Sequence, residues 1–171
     1  MKLRLLLFED CDRSCEGCCN KDWDLKALPV CDDYSPYDEI LLTGGEPLLK
    51  PKLVDKVISD IKNSSSSKIY IYTAKLDNMV AVTWLLDRVD GLCVTLHKQS
   101  DVFAWHRFAE NLYSEYWGKS LRLNVFKGVD LSELYIPDQW EVKKDIEWIK
   151  DCPLPEDEVF MKLKALQGDK G

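Results

Sequence analysis

The chain has 171 residues and a formal net charge of −7. That length suits one domain with a real core, and an acidic balance without a basic run excludes the electrostatic footprint of a nucleic-acid binder. No apolar stretch approaches the ~18 residues of a membrane span. The opening run Met1–Asp10 is short and ends in acids where a signal peptide would have a small-residue cleavage site, so a cytoplasmic protein is expected.

Five short apolar runs, often β-branched or aromatic, read as strands buried on both faces. In chain order they are Leu3–Phe8, Glu39–Thr43, Ile69–Thr73, Leu92–Leu96 and Leu121–Phe126. Helices fill three of the gaps. Leu53, Val54, Val57, Ile58 and Ile61 place one apolar stripe on a helix that the polar run Asn63–Ser67 stops. Met79, Val80, Val82, Leu85, Leu86 and Val89 repeat the pattern up to Asp90-Gly91. Phe103, Ala104, Phe108, Leu112 and Tyr116 predict a longer helix ending near Gly118. Alternating β and α segments imply a parallel sheet with right-handed crossovers. The first gap is different. About twenty residues, with Pro29, Pro36 and several acids, separate Cys18 from the second strand. A full crossover helix with its connections does not fit, so that helix is short or missing. No sixth strand is evident. From about 129 to 171 a helical extension is expected, with a helix over about Glu141–Lys150, the break Cys152-Pro153-Leu154-Pro155 and a charged tail. With no repeat and no linker, residues 1–171 read as a single domain, its core about 3–128.

Two motifs carry chemistry. Cys11-Asp-Arg-Ser-Cys15-Glu-Gly-Cys18 follows the first strand. Soft thiolates select zinc, copper(I) or iron–sulfur clusters. Three thiolates can hold three corners of a cubane and leave the fourth iron open to a ligand. A structural zinc site normally takes four ligands, and Cys19 or Cys31 is the nearest fourth. Cys19 adjoins Cys18, so its side chain points elsewhere and reads as a packing residue. Cys31, Cys93 and Cys152 are scattered, as buried thiols often are. Seven cysteines, an odd number crowded at one place, do not form a secreted disulfide framework, and reduced thiols fit better. The second motif is Gly44-Gly45-Glu46-Pro47, directly after the strand ending Leu41-Leu42-Thr43. Glycines permit close backbone approach, and Glu46 stands at the carboxyl end of a strand, where open α/β sheets bind ligands.

With both motifs in this order, each after a strand, the chain resembles the radical S-adenosylmethionine (SAM) superfamily over roughly residues 3–128. The resemblance implies a partial, open barrel of parallel β/α units, here trimmed to about five strands. It implies a [4Fe–4S] cluster on Cys11, Cys15 and Cys18, and SAM held through its amino group by Gly44, Gly45 and Glu46. Thr73, Thr95 and Asn124, at or near strand ends, are expected beside the cofactor's ribose and carboxylate. Thr73 and Thr95 can equally be plain strand residues, and no acid–base catalytic residue is required for cofactor cleavage. His97 and His106 read as structural, and Arg122 faces either the cofactor or a surface acid.

The segment Cys15-Glu-Gly-Cys18-Cys19-Asn20, followed by Trp23, is similar to that of anaerobic ribonucleotide reductase activating proteins. Cys19 replaces an aromatic residue of that branch, Glu46 an aspartate, and the loop from Trp23 to Tyr37 is shorter. The activity implied is reductive cleavage of SAM to a 5′-deoxyadenosyl radical that abstracts hydrogen from a substrate. A reductant such as flavodoxin or ferredoxin is implied, and an oxygen-sensitive cluster favours anaerobic conditions. The leading substrate is a protein or peptide, as a glycyl-radical enzyme would be, docking over an open barrel mouth. One alternative is a small molecule or nucleotide, as in 7-carboxy-7-deazaguanine synthases. Another is a non-catalytic iron–sulfur or zinc protein.

Overall fold

The computed structural model describes residues 1–112, 116, 118–132 and 134–164. Its centre is one sheet of eight strands, all parallel: β1 (Lys2–Leu6), β2 (Val30–Cys31), β3 (Glu39–Thr43), β4 (Lys68–Thr73), β5 (Gly91–Leu96), β6 (Ser120–Phe126), β7 (Trp140–Ile146) and β8 (Glu158–Leu163). The spatial order is β2-β8-β1-β3-β4-β5-β6-β7, and the sheet does not close.

The five expected strands are present within a residue or two of their expected bounds. Three expectations are corrected. The expected helix over Glu141–Lys150 is strand β7, so the described part of the extension is not helical. The period is two: Trp140 is buried and Val142 half-buried, whereas Glu141 and Lys143 are exposed. An edge strand has a neighbour on one side only and tolerates such charge. Trp140 holds it down, with its ring 4.7 Å edge-on from Trp105. The charged tail hides β8, which pairs with β1 on one side and with the two-residue β2 on the other. Five strands thus become eight. The third correction concerns burial: β6 alternates strictly between buried and half-buried positions, so only one of its faces is packed.

That packed face is covered by helices. Helix α1 (Cys19–Asp22) is one turn, the short first helix expected. In α2 (Pro51–Ser64), Val54, Val57, Ile58 and Ile61 form the buried stripe, and Pro51 suits the first turn, where its missing N–H costs nothing. In α3 (Met79–Leu86), the Asn78 side chain accepts from the Ala81 amide and caps the start. Helix α4 (Asp101–Asn111) buries Trp105, Phe108 and Ala109 but stops before the expected end, because Leu112 turns extended and enters the core. The rest of that expected helix lies largely outside the described residues. Leu3, Leu5, Ile40, Leu42, Ile69, Ile71, Val94 and Leu123 meet these helices at almost zero exposure. No helix among the described residues is long and apolar enough to cross a membrane.

The other face carries Arg4, Tyr72, Thr95, Asn124 and Lys143, and with Phe160 of β8 they line one cavity. β8 and β7 are six strand spacings apart in the sheet order, about 29 Å if flat. Both can touch one small cavity only if the sheet curls around it.

Candidate functional site

The cavity encloses about 420 Å³ and takes in the ends of the strands, within the range of a site for a small ligand. All nine residues expected at the site line it. Cys11, Cys15 and Cys18 come from the loop after β1. Gly44, Gly45 and Glu46 come from the turn after β3. Thr73, Thr95 and Asn124 come from β4, β5 and β6. Thr95 and Asn124 are register partners on neighbouring strands. The three cysteines are free thiols, with Cys11 exposed and the other two half-buried. Desolvation pushes the Cys11 thiol up, against a backbone hydrogen bond from Arg13.

The cysteine loop is tied to the sheet at several points. The Leu7 amide donates to Thr43 O at 3.0 Å and the Glu46 amide to Asp10 O at 2.9 Å. Arg13 reaches across to the end of β4 and the start of the helix Asp101–Asn111, donating to Ala74 O at 3.1 Å and to Asp101 at 2.6 Å. Lys75 pairs with Asp12 at 2.6 Å. The two motifs are therefore in direct backbone contact, and Gly45 is what permits it: a Cβ there would stand 1.9 Å from Asp10 O.

Glu46 is almost fully buried. Its carboxylate accepts from the Leu48 amide at 3.1 Å, the Thr73 hydroxyl at 2.6 Å and the Ala74 amide at 3.0 Å. A carboxylate has about four acceptor positions: Leu48 uses one as a cap on the following turn, Thr73 and Ala74 use two that tie β3 to the end of β4, and one remains. Burial raises the Glu46 carboxyl above its ordinary range, and the three donors pull it back only in part. Thr73 spends its hydroxyl proton on Glu46 and accepts from the Lys75 amide at 2.9 Å. Its first role in this structure is to position Glu46, not to meet a ligand. Asn124 donates to the Cys93 sulfur at 3.1 Å, and that buried thiol is pushed up to about 12 by desolvation.

The cysteine expectations change at one place. Cys19 and Cys152 form a disulfide across 133 residues, so neither is a packing thiol and Cys19 is no fourth ligand. Cys152 lies in the connection from β7 to β8, residues 147–157, which runs over the cysteine loop. Trp23 donates to the Cys152 carbonyl at 3.1 Å and packs edge-on against Phe160. Trp148 in the same connection stacks parallel on His97, with centroids 5.2 Å apart, and lies 4.3 Å from Phe126. It also rests on Gly17, where a Cβ would come within 2.8 Å of its ring. The chain thus supplies its own strap over the strand ends.

Several cavity residues were not singled out in the sequence: Arg4, Arg13, Tyr72, Lys143, Trp148 and Phe160. Arg13 had a local signal, since it lies inside the cysteine motif. Trp148 had none, because only the path of the chain puts it there. Arg122 lies over the Tyr70 ring at 5.4 Å. His106 pairs with Glu110 at 3.4 Å on the exposed side of α4.

His97 lines the cavity with Nδ1 buried and without a hydrogen-bond partner among the described residues. Burial, then the nearby Arg13 charge, pushes its pKa down from 6.5 to about 4. A ring held neutral contributes stability above its unfolded pKa and loses it as pH falls through the folded one. Urea unfolding is therefore expected to show a loss of roughly 2 kcal/mol between these limits, allowing for solvent screening of a half-buried ring. A His97→Gln variant should lack that part of the slope. An identical slope in the variant would assign it to other groups.

No three His, Cys, Asp or Glu side chains among the described residues converge closely enough to hold a single ion. A cubane cluster asks for something else, one thiolate on each of three irons spread around a larger body. Three unbridged thiols on one loop, facing one cavity, fit that demand. Comparison with family models, with curated proteins and with solved structures finds no match to this chain.

Proposed function

We propose that the chain is a radical SAM enzyme acting on a small molecule, its curled parallel sheet a partial barrel of that type. One observation carries the reading: the Cys11–Cys18 loop and the Gly44–Glu46 turn, far apart in sequence, meet at one cavity and share a backbone hydrogen bond. Cys11, Cys15 and Cys18 would hold a [4Fe–4S] cluster, which with SAM supplies the one-electron cleavage that yields a 5′-deoxyadenosyl radical. The chain's own residues do the rest. Glu46 offers its remaining acceptor position to a cationic amine, a charge-assisted bond. The glycine turn lets backbone approach the ligand, Thr95 and Asn124 present polar groups beside it, and the strap with Trp148 limits water, which a reactive radical requires.

The strap supports the small-molecule reading over a protein substrate. A protein substrate requires a mouth left open for a partner to cover. Here Trp148 of the connection lines the cavity, and the Cys19–Cys152 bond fastens that connection to the cysteine loop. A cavity of about 420 Å³ is of the size that one small ligand fills.

Anaerobic reconstitution with iron and sulfide tests the first part. The expected result is about four irons per chain, an absorption shoulder bleached by dithionite, and slow release of 5′-deoxyadenosine when SAM is added. Replacing Cys11, Cys15 and Cys18 together by alanine should abolish the iron. Stoichiometric zinc that persists in place of iron would overturn the proposal.

A further inference from the structure

Arg13 is placed between two of the three thiols, and its anchoring is unusually complete. Nη1 donates to the Ala74 carbonyl at 3.1 Å and Nη2 to Asp101 Oδ1 at 2.6 Å. Asp101 is itself buried and held by the His97 and Lys98 amides at 2.8 and 3.1 Å. The guanidinium is therefore held at two points. Its third nitrogen, Nε, is buried and finds no hydrogen-bond partner among the described residues. A buried N–H left unpaired is costly, more so on a charged group. The Cys15 sulfur lies within interaction range of the guanidinium, and Arg13 lines the same cavity as the three thiols.

We propose that Arg13 is a positioning and tuning residue of the cluster site, its Nε–H donating to a sulfur at the Cys15 corner and its charge stabilising the reduced cluster. The inference rests on the cluster reading of this loop. Reduction adds one electron, delivered by a one-electron donor such as dithionite or a flavodoxin-type protein, and neither makes nor breaks a bond at Arg13. The added negative charge is met by a fixed cation and an N–H donor. Hydrogen bonds to cluster sulfurs are among the levers that set such potentials. Asp101 offsets part of the charge but binds the Nη2 side. His97 beside it is neutral, and Lys98 adds positive charge.

The test compares anaerobically reconstituted wild type with Arg13→Lys and Arg13→Gln by redox titration followed by electron paramagnetic resonance. Arg13→Gln is expected to retain iron and to shift its midpoint potential to more negative values. Arg13→Lys keeps the charge but not the planar fork, so its shift should be smaller. Wild type grown with nitrogen-15 arginine should show hyperfine coupling to an arginine nitrogen in the reduced cluster, and Arg13→Lys should lose it. The wild-type labelling does not depend on any variant folding. A loaded cluster without that coupling, or variants with the wild-type potential, would reduce Arg13 to a loop anchor and overturn this inference alone. A wild type that takes up no cluster would overturn both.

Discussion

Replacing Gly45 by alanine is expected to destabilise the chain by about 3 kcal/mol or more, the sum of a left-handed backbone cost and a steric one. Gly45 has φ +37°, and its added Cβ would meet the backbone of Asp10, with the carbonyl oxygen at 1.9 Å and its carbon at 2.8 Å. Backbone cannot give way as a flexible side chain does. Retreat would also break the bond from the Glu46 amide to Asp10 O, which joins the two motifs. Gly128→Ala is the control, since Gly128 also has positive φ but open space around its Cβ position. It should lose only about 1 kcal/mol. Urea unfolding measures both, and equal losses would show that the close approach is not the cause. Iron uptake should fall in Gly45→Ala and be normal in Gly128→Ala.

Glu46→Ala is expected to cost a similar amount, about 3 kcal/mol, because three donors lose one buried acceptor. Glu46→Gln should cost less. Its carbonyl can still serve Leu48 and Thr73, but its NH2 then faces the Ala74 amide. The pH dependence has a definite sign. The folded carboxyl is raised by burial, so its contribution is greatest below the ordinary glutamate pKa and diminishes as pH rises through the folded value. The same pair separates structure from ligand binding. If the free acceptor position meets the amine of SAM, Glu46→Gln should weaken SAM binding to the reconstituted protein about tenfold or more. A variant that is destabilised but binds SAM normally would leave Glu46 as a tie between β3 and β4 and nothing else.

The strap bears on how the site is reached. It runs from the end of β7 at one edge of the sheet to the start of β8 beside β1. Trp148 sits on the cysteine loop, and Cys152 is bonded to Cys19. The sheet itself is open, and its gap is bridged by chain instead of by strand pairing.

The sequence by itself determined what local pattern encodes. Continuous apolar runs marked β1, β3, β4, β5 and β6, because a strand under helices must be apolar on its packed face. Apolar stripes marked α2 and α3. Two motifs marked where the chemistry would gather, since cysteine spacing and a Gly-Gly turn are local requirements. Only the tertiary structure decided the rest. β7 and β8 are charged, and they become strands because β6 and β1 offer unpaired edges, which no local pattern states. Glu46 reads in the sequence as a ligand-binding carboxylate, yet three of its about four acceptor positions go to protein donors, two of them supplied by the end of β4. Arg13 and the Cys19–Cys152 pair acquire their roles from contacts 61 to 133 residues away along the chain, and Trp148 from rings on β6 and after β5. Such contacts depend on how the sheet curls, a property of all eight strands together.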